Sequence, residues 1–139
     1  GGSASVASHM SIDFPNNGGI RGMGFNDSSA LTCLGNDYGY ENVFSRQVEI
    51  HARAGDILIA ISSSGQSENI LNAVNTARSL GCMSVTLSGF KPDNPLRSIG
   101  DLNLYVSSNE YGFVEISHLS LCHAIHDLAT GWGKVSQNA

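Results

Sequence analysis

The chain has 139 residues, 41% hydrophobic and 14% charged, with 7 Lys and Arg against 12 Asp and Glu for a formal charge of −5. That length suits one domain with a real core, and the composition excludes a disordered chain. The acidic balance excludes a general nucleic-acid binder, which needs a basic face to displace counterions, yet a small phosphorylated ligand held by backbone N–H groups and hydroxyls fits it.

Taken in chain order, Gly1-Gly2-Ser3 opens without a preceding strand and reads equally as linker residues left by cloning. Ser3 can cap a short helix over residues 3–13 with Ala4, Val6, Ala7 and Met10 on its apolar side. Residues 15–29, with Pro15 and four glycines, read as a loop or broken segment. Ala30 to Leu34 reads as a short buried strand stopped by Gly35-Asn36-Asp37. Residues 40–53 follow as a helix ended by Gly55. Ile57 to Ile61 is an uninterrupted apolar run, as in a parallel strand buried on both faces. Residues 67–80 form the clearest helix, with Ile70, Val74 and Ala77 on one face, Ser67 at the N-cap and Gly81 at the C′ position. A strand over 83–87, a loop marked by Pro92 and Pro95, a strand over 102–106 and a closing helix over 113–128 complete the pattern. Alternating strands and helices predict an α/β fold with a doubly wound parallel sheet and helices on both faces, in one domain over 1–139 with a frayed tail at 129–139.

No run reaches the roughly 18 apolar residues of a membrane span. Cys33, Cys82 and Cys122 are odd in number and widely spaced, so a disulfide framework is not expected. The opening residues carry no basic-then-apolar leader, and a cytoplasmic location is the expectation.

The strongest chemical signal is a strand, then Ser62-Ser63-Ser64-Gly65-Gln66-Ser67, then a helix. Ligands of open α/β sheets bind beyond the carboxyl ends of strands, and a helix N-terminus offers open N–H groups and partial positive charge. The loop therefore reads as a phosphate cradle, against the plainer alternative of a serine-rich helix cap. It is neither a Walker A loop nor a dinucleotide fingerprint. The closing helix concentrates Glu115, His118, Cys122, His123 and His126. Glu115 and His123 share a face, while His9 and Asp13 lie i, i+4 near the start. Such pairs can make a metal site or an acid–base pair, although a lone helix histidine is more often packed or solvated. Asp37 can meet a sugar hydroxyl or make an Asx turn.

In this order and spacing the pieces resemble the sugar isomerase (SIS) domain, and within it the phosphoheptose isomerase family. The matching pieces are Gly1-Gly2-Ser3 with His9 and Asp13, Gly35-Asn36-Asp37-Tyr38-Gly39, the serine loop after Gly55-Asp56 and its strand, and Glu115-x-x-His118-x-x-x-x-His123. They span roughly residues 1–128 and argue against a cloning origin for the opening.

The resemblance implies a flavodoxin-like sandwich, self-association as a homotetramer or dimer with sites between subunits, and a family N-terminal region (helices and a first strand) with no counterpart in this sequence. It implies isomerisation of sedoheptulose 7-phosphate to a D-glycero-heptose 7-phosphate through an enediol, for lipopolysaccharide or capsule sugars. It places phosphate or substrate binding on Ser3, Asp37, Ser62, Ser63, Ser64, Ser67 and Glu115, and catalysis on Asp13 and His123. It places one zinc per site on His9, Asp13, Glu115 and His123. The chain departs from well-known members in carrying Asp13 for glutamate, Glu115 for glutamine, and no acidic–basic pair over residues 109–114. The rival expectation is a non-catalytic SIS module that binds a phosphosugar or a protein. His9, Asp13 and His123 occurring together favour the enzyme.

Overall fold

The structure, a computed structural model, describes residues 1–131; the tail expected to fray lies outside the described residues beyond Gly131. In chain order the elements are α1 (Gly2–Gly18), α2 (Ser28–Tyr38), α3 (Val43–His51), β1 (Ile57–Ser62), α4 (Glu68–Ser79), β2 (Met83–Ser88), β3 (Leu102–Tyr105) and α5 (Tyr111–Thr130), with 3-10 turns at Tyr40–Asn42 and Pro95–Ser98.

The three strands form one parallel sheet in the order β1-β2-β3. Its register pairs Ile61 with Leu87 and Leu87 with Leu104, so those residues point to the same face. That face packs on Val6 and Met10 of α1 and Cys122 of α5. Leu58 and Ala60 point the other way, onto Ala73, Val74 and Ala77 of α4 and onto Leu96. The apolar run in β1 therefore serves two cores, one on each side of the sheet. This is an α/β sandwich with helices on both faces, as expected.

Two segments differ from the sequence reading. The segment expected as a strand over 30–34 lies inside helix α2, which contains no fully buried residue. The Asp27 carboxylate accepts the Ala30 N–H at 3.0 Å and caps that helix. Leu31 and Leu34 also lie three apart, a helical spacing that a five-residue window mistakes for a continuous run. Helix α1 continues through Pro15 to Gly18, where a break was expected. A proline late in a helix loses only one ladder bond. Gly19, at φ 64, then ends α1: its N–H donates to the Pro15 carbonyl at 3.2 Å and the Ile20 N–H to the Phe14 carbonyl at 3.1 Å.

Candidate functional site

The serine loop joins the carboxyl end of β1 to the amino end of α4. Gly65 makes its turn at φ 64, and a Cβ there would overlap the Asn94 side chain. Asn94 is 2% exposed. Its Nδ2 donates to the carbonyls of Lys91 and Gly89 at 2.8 and 3.1 Å, and its Oδ1 accepts the Arg97 N–H at 3.0 Å. The Leu96 N–H donates to the Gly65 carbonyl at 3.0 Å. The loop is thus clamped from behind by the Asn94-Pro95-Leu96 turn, where the sequence reading expects a proline loop with at most a short helical turn and gives Asn94 no role. The clue was available: asparagine followed by proline is a cap-plus-first-turn pair.

Within the loop, the Gly65 N–H reaches the Ser62 carbonyl at 3.0 Å and Ser62 Oγ at 3.2 Å. The Gln66 N–H donates to Ser64 Oγ at 3.2 Å, and Ser62 Oγ pairs with Ser67 Oγ at 3.1 Å. Ser67 holds the N-cap position, as expected, but its hydroxyl makes no capping bond. The Ile70 N–H donates instead to the Ser67 carbonyl at 3.0 Å, which leaves the N–H groups of Glu68 and Asn69 for an anion. Ser63 Oγ is buried without a hydrogen-bond partner. An unpaired buried hydroxyl is costly, and a ligand oxygen would satisfy it.

Ser62, Ser63 and Ser64 line a groove of about 1320 Å³ that they share with Gly2, Ser3 and Glu115. The groove runs on along β1, whose outer edge has no strand beside it among the described residues. The Glu115 carboxylate packs directly against Gly2, in the space that a Cβ there would take. This sets a negative charge against the first turn of α1, a favourable place for it.

A second cluster lies where α1 crosses α5. Asp13 Oδ2 is 3.5 Å from His9 Nε2 and 3.6 Å from His123 Nδ1, and the two imidazole rings meet edge-on with centroids 5.4 Å apart. The other Asp13 oxygen accepts from Asn17 Nδ2 at 3.1 Å. The His9 and His123 side chains are 52% and 41% exposed and Asp13 is 20% exposed, so the cluster faces solvent and can meet a substrate. Of the four residues expected as zinc ligands, His9, Asp13 and His123 come together, with donor atoms within 4.8 Å of one another. Glu115 does not join them. It lies eight residues before His123, about 12 Å along the helix axis. Sharing a helix face is not sharing a height.

Other candidates are placed differently. Asp37 sits in the last turn of α2, where its carboxylate accepts from Asn36 Nδ2 at 2.9 Å and lies 3.7 Å from the Cys33 thiol. It does not line the serine groove. His118 is fully buried, and its Nε2 lies 3.1 Å from the Ser88 carbonyl. A carbonyl only accepts, so Nε2 carries the proton and Nδ1 is a buried acceptor without a partner. Burial lowers the pKa of His118, against smaller raising effects from the Ser88 carbonyl and Glu115. Burial likewise pushes the Cys122 thiol up to about 11, which keeps it an inert core residue.

Residues 1–89 match the family model for the SIS domain. The phosphoheptose isomerase of Aliarcobacter butzleri is 41% identical over 90% of this chain and 69% of its own length. That of Geobacter sp. is 45% identical over 73% of this chain and 53% of its own. Among solved structures, a phosphoheptose isomerase from Francisella tularensis superposes with a TM-score of 0.85 at 29% identity, covering 93% of this chain and 71% of that one. One from Neisseria gonorrhoeae gives a TM-score of 0.84 at 35% identity, over 93% and 72%. The chain thus spans between about half and seven-tenths of the relatives it matches. With the serine loop and the histidine–aspartate cluster set on this sandwich, the chain belongs to the SIS domain family and groups with its phosphoheptose isomerases.

Proposed function

We propose that this protein is an aldose–ketose isomerase acting on a sugar phosphate, with sedoheptulose 7-phosphate as substrate and a D-glycero-heptose 7-phosphate as product. The observation that carries the reading is the solvent-facing carboxylate of Asp13 set between His9 and His123. Moving a proton between C1 and C2 through an enediol needs one group to take the carbon-bound proton and another to exchange protons with the oxygens. Asp13 suits the first task, and Asn17 fixes its orientation by holding the second oxygen. His123 suits the second task, since an imidazole can give and accept a proton near neutrality.

Ser62, Ser63, Ser64 and Ser67 hold the phosphate at the N-terminus of α4, with Ser3 and Glu115 across the groove. Asp37 contributes only where a ligand or another copy brings the last turn of α2 to the groove.

The donor set also fits zinc. Two imidazoles and a carboxylate leave one position open, and separations of 3.5 and 3.6 Å approach the roughly 3.3 Å edge of a tetrahedral site. His9, Asp13 and His123 would hold the ion, and it would supply Lewis-acid stabilisation of the enediolate oxygens.

On one copy the cluster lies outside the serine groove. This favours self-association, in which a second copy lays its groove over the first copy's cluster. Exposed Ile12, Phe113 and Ile116 on α1 and α5 offer apolar surface for that contact. No helix among the described residues is long and apolar enough to cross a membrane. The three free cysteines, Cys33 exposed among them, suit a reducing cytoplasm.

The test is to supply sedoheptulose 7-phosphate and follow the sugar by NMR, comparing the protein with His123→Ala. Conversion by the protein, its loss in the variant, and inorganic phosphate affinity equal in both support the assignment. Tight sugar-phosphate binding with no conversion moves the protein to the class of non-catalytic phosphosugar-binding modules.

A further inference from the structure

We propose that Tyr111, propped by Phe90, is the aromatic wall of the substrate groove and selects for a sugar chain that turns a face of C–H bonds toward it. This rests on the sugar-phosphate reading above and adds to it the residue that reads the carbon chain.

Tyr111 opens α5 one helical repeat before Glu115, so the two side chains fall on the same side of the helix. Both line the groove that holds Ser3 and the serine loop. Tyr111 is 62% exposed, yet its position is fixed. Phe90 meets it edge-on, with centroids 4.8 Å apart and planes at 78°, the favoured geometry for an aromatic pair. A single exposed aromatic needs no explanation. One braced by a second ring at the rim of the groove has its face presented rather than free to turn.

Phe90 holds its place against the grain of the backbone. At φ 59 it is the one non-glycine residue with positive φ among the described residues, a conformation that a bulky side chain adopts only when its surroundings impose it. Three hydrogen bonds impose it here. The Phe90 N–H donates to the Ser108 carbonyl at 2.9 Å, and Tyr105 Oη donates to the Phe90 carbonyl at 2.8 Å. The preceding Gly89 N–H donates to the Ser63 carbonyl at 2.9 Å. Through that last bond the aromatic pair and the phosphate cradle form one frame. Backbone thereby joins the serine loop to Phe90, and the ring contact carries that frame on to Tyr111.

The chemistry follows from the ring. An aromatic face carries partial negative charge and attracts the weakly positive C–H bonds of a sugar, while the Tyr111 hydroxyl can bond a sugar oxygen at the ring edge. A carboxylate on the same carbons would be disfavoured by the ring face and by Glu115 alike. The occupant is therefore a neutral polyol chain ending in phosphate, not a sugar acid.

The experiment is calorimetric titration of the purified protein with sedoheptulose 7-phosphate, ribose 5-phosphate, 6-phosphogluconate and inorganic phosphate, repeated for Tyr111→Ala, Tyr111→Phe and Phe90→Gly. Tyr111→Ala is expected to weaken the neutral sugar phosphates about tenfold, to leave inorganic phosphate within about twofold, and Tyr111→Phe to restore most of the loss. Phe90→Gly relieves the backbone, so it is expected to weaken sugar phosphates while the folded protein keeps its phosphate affinity. Upfield shifts of sugar C–H protons on binding, lost in Tyr111→Ala, are the spectroscopic mark of a ring face. Neutral sugar phosphates bound equally by the protein and by Tyr111→Ala, or 6-phosphogluconate bound more tightly than either, overturns the aromatic wall and leaves the isomerase reading standing. A protein that binds inorganic phosphate but none of the sugars overturns both.

Discussion

At the scale of single residues, function here depends on a few atoms whose neighbours leave them no alternative. Gly65 is the sharpest case. Its positive φ and the Asn94 side chain against it exclude any Cβ. Gly65→Ala is expected to cost about 1–3 kcal/mol and to weaken phosphate binding at least tenfold, because the loop must move to admit the methyl group. Thermal melts with and without inorganic phosphate check this; an unchanged phosphate-induced shift in melting temperature contradicts it. Gly65 was legible in the sequence, since only glycine lets the backbone approach a ligand so closely. Asn94 was not, because a buried amide that clamps three backbone groups looks in one dimension like any asparagine in a turn.

At the scale of elements, local spacing identified what tertiary packing confirmed in α4, β1, β2, β3 and α5. It failed where a short apolar run admitted two periods. Ala30 to Leu34 looked like a buried strand, but the deciding feature lies upstream, in the Asp27-Ser28-Ser29 start signal. Asp27→Ala is expected to destabilise the protein by about 1 kcal/mol through loss of that cap, with no change in phosphate affinity. Chemical denaturation measures the first and titration the second; a large loss of phosphate affinity would mean that α2 reaches the serine loop. The same limit governed the candidate site. Spacing along α5 put Glu115 and His123 on one face, and the His9–Asp13 spacing made one pair. Neither reports which pairs meet across two helices, and only the crossing of α1 on α5 joins His123 to Asp13 and leaves Glu115 against Gly2.

At the scale of the whole molecule, the sheet separates two cores, and a buried histidine links the stability of one of them to pH. His118 is neutral in the fold because burial disfavours its charged form. In the unfolded chain it binds a proton as pH falls through its ordinary value of 6.5. The unfolded state then holds more protons than the native state, so stability is full above that value and declines below it. Denaturation midpoints taken from about pH 7.5 to about pH 5.5 are expected to fall, by no more than about 1.4 kcal/mol per pH unit for one group, and less steeply in His118→Gln. An identical pH dependence in protein and variant would assign the effect to other groups. Family membership reads at this same scale: no single motif carried it, but four in order on a parallel sandwich did.

The central claim is that Asp13 and His123 move a proton on a sugar phosphate. The most direct measurement is deuterium incorporation during turnover: sedoheptulose 7-phosphate in deuterated water, with the protein and with Asp13→Asn, followed by proton NMR. An aldoheptose phosphate labelled at C2 is expected from the protein, and at least about a hundredfold less of it from Asp13→Asn, since one positioned acid–base group contributes on that order. Labelled product forming as fast with Asp13→Asn as with the unaltered protein would contradict it, and so would bound sugar that neither converts nor exchanges.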